Sequence, residues 1–361
     1  MNVLDQLVAD RYAAYHGDCV DVLRGLPDAS VHYSVFSPPF ASLYTYSASP
    51  RDMGNVATHA DFFEQHQFMV QELYRVLKPG RLISAHCMLL PTSKMRDGFI
   101  GLSDFRGQLI RAFQAAGFIF HSEVVIWKDP VTAMQRTKAL GLLHKQIKKD
   151  SCMSRQGIPD YLVTMRKPGD NPERVSHTDE SFPVDLWQRY ASPVWVSTID
   201  DAQDDADALA REKPRSQAWL DDRAAFATLK ADINPSDTLQ FRSARADEDE
   251  RHICPLQLEV IRRAVRLWTN PGDVVLSPFA GIGSEGVVSL QEGRRFVGAE
   301  LKDTYYAQMC RNLAAQVDAL APQFVVDPGP PRPVGFGVPM IPRVCKSPSL
   351  CGMLGVCGCP S

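Results

Sequence analysis

Two short stretches of the chain combine residue types that could do chemistry. In the first, Ser37-Pro38-Pro39-Phe40 directly follows the apolar run Val31–Phe36. Two prolines fix the backbone and remove two N–H donors, so nearby carbonyls are free to accept hydrogen bonds at the carboxyl end of a strand. Ser37 adds a hydroxyl and Phe40 a flat stacking face. In the second, residues 274–286 read VVLSPFAGIGSEG, an apolar strand running into Gly281 and Gly283 and then a helix. Glycines permit a tight turn with close backbone approach, and the helix N-terminus favours a carboxylate or phosphate. Glu300 closes the next strand, 295–299, where a carboxylate can accept hydrogen bonds from ribose hydroxyls. Each stretch has a plainer reading, a rigid loop exit for the prolines and an ordinary strand-to-helix turn for the glycines. Glu300 together with the glycine loop points instead to a cofactor that carries a ribose.

These residues need a scaffold, and the hydropathy pattern predicts an α/β one. Residues 12–16 and 31–36 read as buried strands. Phe62, Phe63, Phe68, Met69, Leu73 and Leu77 fall near helical spacing over 61–77, and Lys78-Pro79-Gly80 stops that helix. A strand over 81–87 follows, then a helix over 109–116 ended by Gly117, and strands over 119–127 and 161–165. From 167 to 251 the composition turns to Pro, Asp and Ser, with acidic pairs at Asp200-Asp201 and Asp204-Asp205, which reads as an insertion. The α/β pattern resumes with a helix over 256–267, a strand over 274–276, a helix from Ser284 and a strand over 296–299. Beyond 322 Pro and Gly dominate, and this tail is expected to be disordered and outside the core.

At 361 residues, 45% hydrophobic and 22% charged, the chain has the make-up of a soluble globular protein without an apolar run of spanning length. Asp5, Asp10 and Arg11 interrupt any signal-peptide core, so a cytoplasmic location with no membrane partner is expected. A net charge of −3 does not recruit a polyanion by itself, so any nucleic-acid surface must be a local patch. One such patch spans 131–158, where Arg136, Lys138, Lys145, Lys148, Lys149 and Arg155 face a single acid, Asp150. These cations could neutralise phosphates, with Gln135, Gln146 or Gln156 reading base edges; the plainer reading is a solvated helix face. Cys19, Cys87, Cys152, Cys254 and Cys310 are scattered, as suits reduced thiols. The crowded Cys345, Cys351, Cys357 and Cys359 lack the paired C-x2-C spacing of a structural zinc site, so no metal is expected.

Taken in order, four elements resemble the DNA amino-methyltransferases, the family that methylates adenine N6 or cytosine N4. They are Gly17-Asp18, Ser37-Pro38-Pro39-Phe40, Arg75-Val76-Leu77-Lys78-Pro79-Gly80, and the glycine loop preceded by His252-Ile253-Cys254-Pro255. An order with the tetrad first and the cofactor loop last is similar to the β group of that family. The resemblance covers 12–167 and 251–313. It implies an α/β, Rossmann-like, S-adenosylmethionine-dependent methyltransferase fold in circularly permuted order. The implied parts are a catalytic part over 1–130, an inserted DNA target-recognition region over 131–250, a cofactor-binding part over 251–320 and the tail over 321–361. It further implies that Ser277, Phe279, Gly281 and Gly283 are cofactor-loop positions, that Glu300 holds the ribose and that Asp18 contacts the cofactor's adenine. Where the family's loop usually opens Asp-Pro-Phe, this chain has Ser277-Pro278-Phe279, a hydroxyl in place of a carboxylate.

The implied activity is transfer of a methyl group from S-adenosyl-L-methionine to the exocyclic amino group of a base in double-stranded DNA. Such a nitrogen is a poor nucleophile because its lone pair is delocalised into the ring. Hydrogen bonds to the Ser37 hydroxyl and the Pro38 carbonyl would favour a pyramidal nitrogen, with Pro39 fixing the turn and Phe40 stacking on the flipped base. Ser-Pro-Pro with an aromatic resembles the cytosine-N4 enzymes, so N4-methylcytosine is the expected product and N6-methyladenine the alternative. A more distant alternative is a DNA-binding relative that has lost catalysis, with Ser277 as its supporting feature. Enzymes that methylate glutamine through Asn-Pro-Pro-Tyr place the cofactor loop before the tetrad, against the order here. A restriction-modification setting would add a cognate nuclease as a partner.

Overall fold

The computed structural model describes residues 3–40, 51–56, 58–130, 143–197, 232–240 and 255–320. In chain order the strands are β1 (Val3–Val8), β2 (Tyr12–Gly17), β3 (Val31–Phe36), β4 (Leu77–Met88), β5 (Leu90–Pro91), β6 (Leu102–Ser103), β7 (Ile119–Trp127), β8 (Asp160–Arg166), β9 (Val194–Val196), β10 (Val274–Ser277) and β11 (Arg295–Glu300). The helices are α1 (Cys19–Arg24), α2 (His59–Val76), α3 (Lys94–Asp97), α4 (Phe105–Ala115), α5 (His144–Lys149), α6 (Val184–Tyr190), α7 (Leu258–Trp268), α8 (Ser284–Gln291) and α9 (Asp303–Leu320).

One sheet runs β1-β2-β11-β10-β3-β4-β8-β7-β9, and β5 and β6 form a separate small ribbon. From β2 to β4 the neighbours are parallel, whereas β1 pairs antiparallel with β2 and β8 antiparallel with both β4 and β7. β2 and β3 are buried at every residue, as expected for parallel strands covered on both faces. One face packs Leu23, Phe62, Met69, Leu73, Phe105 and Phe113 from α1, α2 and α4. The other packs Val260, Ile261, Val288, Met309 and Leu313 from α7, α8 and α9. α2 begins on a reciprocal cap in which Thr58 and Asp61 each accept from the other's backbone N–H.

The topology places a crevice. After β3 the chain moves to β4 on one side, and after β10 it moves to β11 on the other, so the winding reverses between β3 and β10. Ligands of open α/β sheets bind outside the carboxyl ends of the strands at such a reversal. The Ser37 tetrad follows β3 and the glycine loop follows β10, so both stretches open onto that crevice. At the opposite, amino ends, buried Arg81 on β4 pairs with Asp273 before β10 and donates from Nε to the His32 carbonyl on β3 at 3.0 Å. This ion pair ties three adjacent strands together beneath the site.

Most expected elements appear within a few residues of their sequence bounds, and the differences have physical reasons. β4 begins at Leu77, directly after α2, so Lys78-Pro79-Gly80 ends the helix and also opens the strand. Within the stretch 131–250 read as a target-recognition insertion, β8 sits between β4 and β7 and β9 pairs with β7, so part of it belongs to the main sheet. Most of the acidic stretch and the tail from 321 lie outside the described residues. Among the described residues no helix is long and apolar enough to cross a membrane.

Candidate active site

The cofactor half is built by β10, β11 and the turns that follow them. Gly281 and Gly283 adopt φ of +53° and +90°, left-handed values that penalise any residue with a Cβ, and Gly283 caps α8. Among the described residues, its own chain neighbours aside, no atom lies within 4 Å of where a side chain on Gly281 would begin, which leaves room for a ligand at that backbone. The N–H of Gly281 donates to Glu300 Oε2 at 2.8 Å, and that of Lys302 donates to Oε1, also at 2.8 Å. Both carboxylate oxygens are therefore fixed, each with a lone pair left to accept from a vicinal diol. Burial pushes the Glu300 carboxyl up to about 7, against the two backbone bonds that favour its ionised form.

Asp18 follows β2, which pairs with β11 so that His16 stands opposite Glu300. Its Oδ1 accepts from the N–H groups of Val20 at 2.9 Å and Asp21 at 3.2 Å as the N-cap of α1, which leaves Oδ2 available. Burial raises its pKa. Ser277, fully buried at the end of β10, has a hydroxyl without a hydrogen-bond partner among the described residues. A buried unpaired hydroxyl is costly unless a ligand satisfies it. Phe279 is half-buried with its ring 5.9 Å from that of Phe36, joining this loop to the end of β3. The open glycine turn, the anchored carboxylate and the orphaned hydroxyl together fit a ribose-bearing cofactor. Glu285, in the first turn of α8, is a buried carboxyl pushed up to about 8 by that burial; the sequence pattern did not single it out.

The tetrad's side of the candidate site follows β3. Ser37 Oγ is 3.2 Å from His86 Nδ1 on β4, and His86 Nε2 is 2.9 Å from Asp160 Oδ2 at the start of β8. Lys128, just after β7, pairs with the same Asp160 oxygen. Burial alone would raise the Asp160 carboxyl, but Lys128 and His86 outweigh it and hold the group at about 2. An ionised carboxylate only accepts, so Nε2 carries the ring proton, and in the neutral ring Nδ1 accepts from the Ser37 hydroxyl. Pro38 is buried and Pro39 half-buried. Phe40 is half-buried, edge-on to Phe105 at 6.0 Å and 6.3 Å from the His86 ring. His86, Asp160 and Lys128 were not among the residues singled out from sequence. The available signal was a buried polar residue inside an apolar strand, the informative exception to burial rules.

The basic patch is described in part. Lys145, Lys148 and Lys149 are exposed on α5, and none has an ion-pair partner among the described residues. Arg155 is half-buried, which lowers its pKa, and it donates to the Gln156 carbonyl at 3.1 Å. Arg136 and Lys138 lie outside the described residues, as do His252, Ile253 and Cys254. A third cluster, His32, Glu173 and Asp273, has the residue types of a metal site. Lys78 and Arg81 already pair with its two carboxylates, which makes it part of the ion-pair brace at the amino ends of the strands.

Comparison with known proteins gives these features a family. The model of the N6/N4 class described as DNA methylase matches residues 31–311. Type II methyltransferase M.BglII of Bacillus subtilis is 24% identical over 293 residues, which cover 81% of this chain and 66% of the relative, just under two thirds of its length. DNA adenine methyltransferase YhdJ of Escherichia coli K12 is 26% identical over 209 residues, covering 54% of this chain and 71% of the relative. Among solved structures, TTHA0409 of Thermus thermophilus, complexed with S-adenosyl-L-methionine, superposes with a TM-score of 0.54 at 20% identity, covering 84% of this chain and 94% of that one. The PvuII DNA methyltransferase, named as cytosine-N4-specific, gives 0.53 at 14% identity, with 88% and 94% covered. These likenesses carry the mixed-sheet α/β fold. The match over 31–311, which spans the tetrad and the glycine turn, means that this chain belongs to the S-adenosylmethionine-dependent DNA methylases of the N6/N4 class.

Proposed function

We propose that the protein methylates cytosine at N4 within a specific site of double-stranded DNA. The observation that carries this reading is the placement of Ser37-Pro38-Pro39-Phe40 at the carboxyl end of β3, across the crevice from the glycine turn that follows β10. In this reading Glu300 accepts from the cofactor ribose, Asp18 from its adenine, and Ser277 with the 279–283 turn lines the remainder. Bound S-adenosylmethionine supplies an electrophilic methyl group on a sulfonium. The chain's own residues prepare the nitrogen: the Ser37 hydroxyl and the Pro38 carbonyl accept hydrogen bonds from its two N–H groups, which draws the lone pair out of the ring. The half-buried face of Phe40 stacks on the base once it has left the duplex. Lys145, Lys148, Lys149 and Arg155, with Arg136 and Lys138, neutralise phosphates. Residues 131–250 contribute target recognition as well as β8 and β9, and the protein works in the cytoplasm, where a cognate nuclease would be its restriction partner.

A second reading, methylation of adenine at N6, is favoured by one observation. Asp160 lies 2.9 Å from His86 Nε2, which in the neutral ring leaves Nδ1 to accept from Ser37, so the hydroxyl would present acceptor lone pairs to the base, as an aspartate in the same place would. The base is decided by digesting DNA from cells expressing the protein and weighing the nucleosides by chromatography and mass spectrometry. N4-methylcytosine is expected. N6-methyladenine alone would overturn the base assignment, and no methylated base at all would favour the inactive DNA-binding alternative.

A further inference from the structure

The Ser37–His86–Asp160–Lys128 chain of contacts crosses four segments that are distant in sequence, and two of its members are buried in the sheet. We propose that His86, oriented by Asp160 and Lys128, is a positioning residue that makes Ser37 an acceptor and takes the hydroxyl proton when the methylated amine gives up its own. This rests on the reading above that Ser37 touches the target amino group.

The argument begins with proton placement. A free serine hydroxyl rotates, and its proton competes with the base for the same lone pairs. Asp160 accepts from Nε2, which leaves Nδ1 as the lone pair nearest the hydroxyl. The Ser37 O–H points there, and both oxygen lone pairs turn outward to the amino hydrogens. An amine that has gained a methyl group carries a positive charge and must lose a proton. The N–H bond breaks as an O–H bond forms on Ser37, while the original Ser37 O–H bond breaks as N–H forms at Nδ1. Serine is unchanged, the methylated amine is neutral and His86 becomes an imidazolium beside Asp160, whose single negative charge it shares with Lys128. No oxidant or further reactant takes part. The proton returns to solvent after the product leaves.

The groups facing the ring are few. Ser37 approaches from the end of β3, Asp160 from β8, Lys128 from beyond β7, and the Phe40 ring covers one side. Arg106, Glu123 and Asp104 act instead on the adjacent Cys87, whose thiol burial pushes up strongly. When His86 is protonated, Nδ1 becomes a donor, consumes a Ser37 lone pair and has no room for a second proton.

Three measurements on the full chain test this. Nitrogen-15 NMR of the His86 ring without DNA should show Nε2 protonated and Nδ1 as an acceptor, and a protonated Nδ1 at neutral pH would overturn the proposal while leaving DNA methylation untouched. Single-turnover transfer from radiolabelled S-adenosylmethionine to genomic DNA of cells lacking the protein should drop about 100-fold in His86→Ala and in Asp160→Asn. S-adenosylmethionine affinity should stay at the wild-type value. His86→Asn, which can accept a hydrogen bond from Ser37 but cannot take up its proton, should keep more of the rate than His86→Ala and stay below wild type. Wild-type rates in His86→Ala and Asp160→Asn would overturn the proposal. Should a variant fail to bind the cofactor, the ring-nitrogen protonation pattern of the wild-type protein decides, because a protonated Nδ1 facing Ser37 is incompatible with the relay. A wild-type protein that labels no DNA would overturn the functional reading, and the inference with it.

Discussion

Glu300 is the residue whose environment speaks most directly about its partner. Its two oxygens are held by backbone N–H groups at 2.8 Å each, yet burial pushes its carboxyl up to about 7. As the proposed ribose ligand it must accept from hydroxyls, which only the ionised form does with both oxygens. Binding of S-adenosylmethionine should therefore strengthen as pH rises through about 7 and release a proton below it, read by calorimetry in buffers of different ionisation enthalpy. Glu300→Ala should weaken binding by about 1.5–3 kcal/mol, the usual cost of losing hydrogen bonds to a charged group, with the fold intact. Unchanged affinity would remove Glu300 from the site. Ser277 belongs at the same scale, since its hydroxyl stands where the family usually carries a carboxylate and finds no partner among the described residues. The residue types at the cofactor turn were legible in the sequence because glycine and a strand-end acid have few other uses in that order. His86 and Asp160 were not, because their partnership depends on β8 lying beside β4, a pairing between residues 74 positions apart.

At the scale of elements, α5 is the segment whose role a measurement can fix most simply. It buries no residue, and its lysines at 145, 148 and 149 point into solvent. Replacing all three by Ala should weaken DNA binding and flatten its salt dependence, by a slope of about 0.9 for each phosphate no longer neutralised. Affinity and slope both unchanged would make α5 a solvated face and nothing more. Strands and long helices were legible from periodicity, with Val31–Phe36 and Ile119–Trp127 falling at their predicted bounds. α9 was passed over although its buried residues Tyr305, Tyr306, Met309 and Leu313 keep helical spacing. Aromatic and polar residues interleave there, which blurs the apolar stripe in the sequence. β9 is three residues long and gains its identity from pairing with β7, a long-range contact that no local pattern encodes.

For the whole molecule, every strand and helix among the described residues ends by Leu320, the last residue of α9. Removing everything after Gln323, including the four crowded cysteines, should leave cofactor binding and methyl transfer in place. An inactive or unfolded truncation would show that the tail packs on the core. The strand order carries a consequence for how such a chain is made. β2 and β3 are synthesised early, yet in the finished sheet they are separated by β11 and β10, which leave the ribosome more than 200 residues later. Until then the growing chain holds two apolar strands, each buried at every residue in the end, facing an empty slot. The middle of the sheet is thus the last part to be synthesised, and β2 and β3 cannot reach their final neighbours before β11 and β10 exist. The glycine turn follows β10, so the proposed methyl-donor site and the continuity of the sheet depend on the same late-made pair of strands.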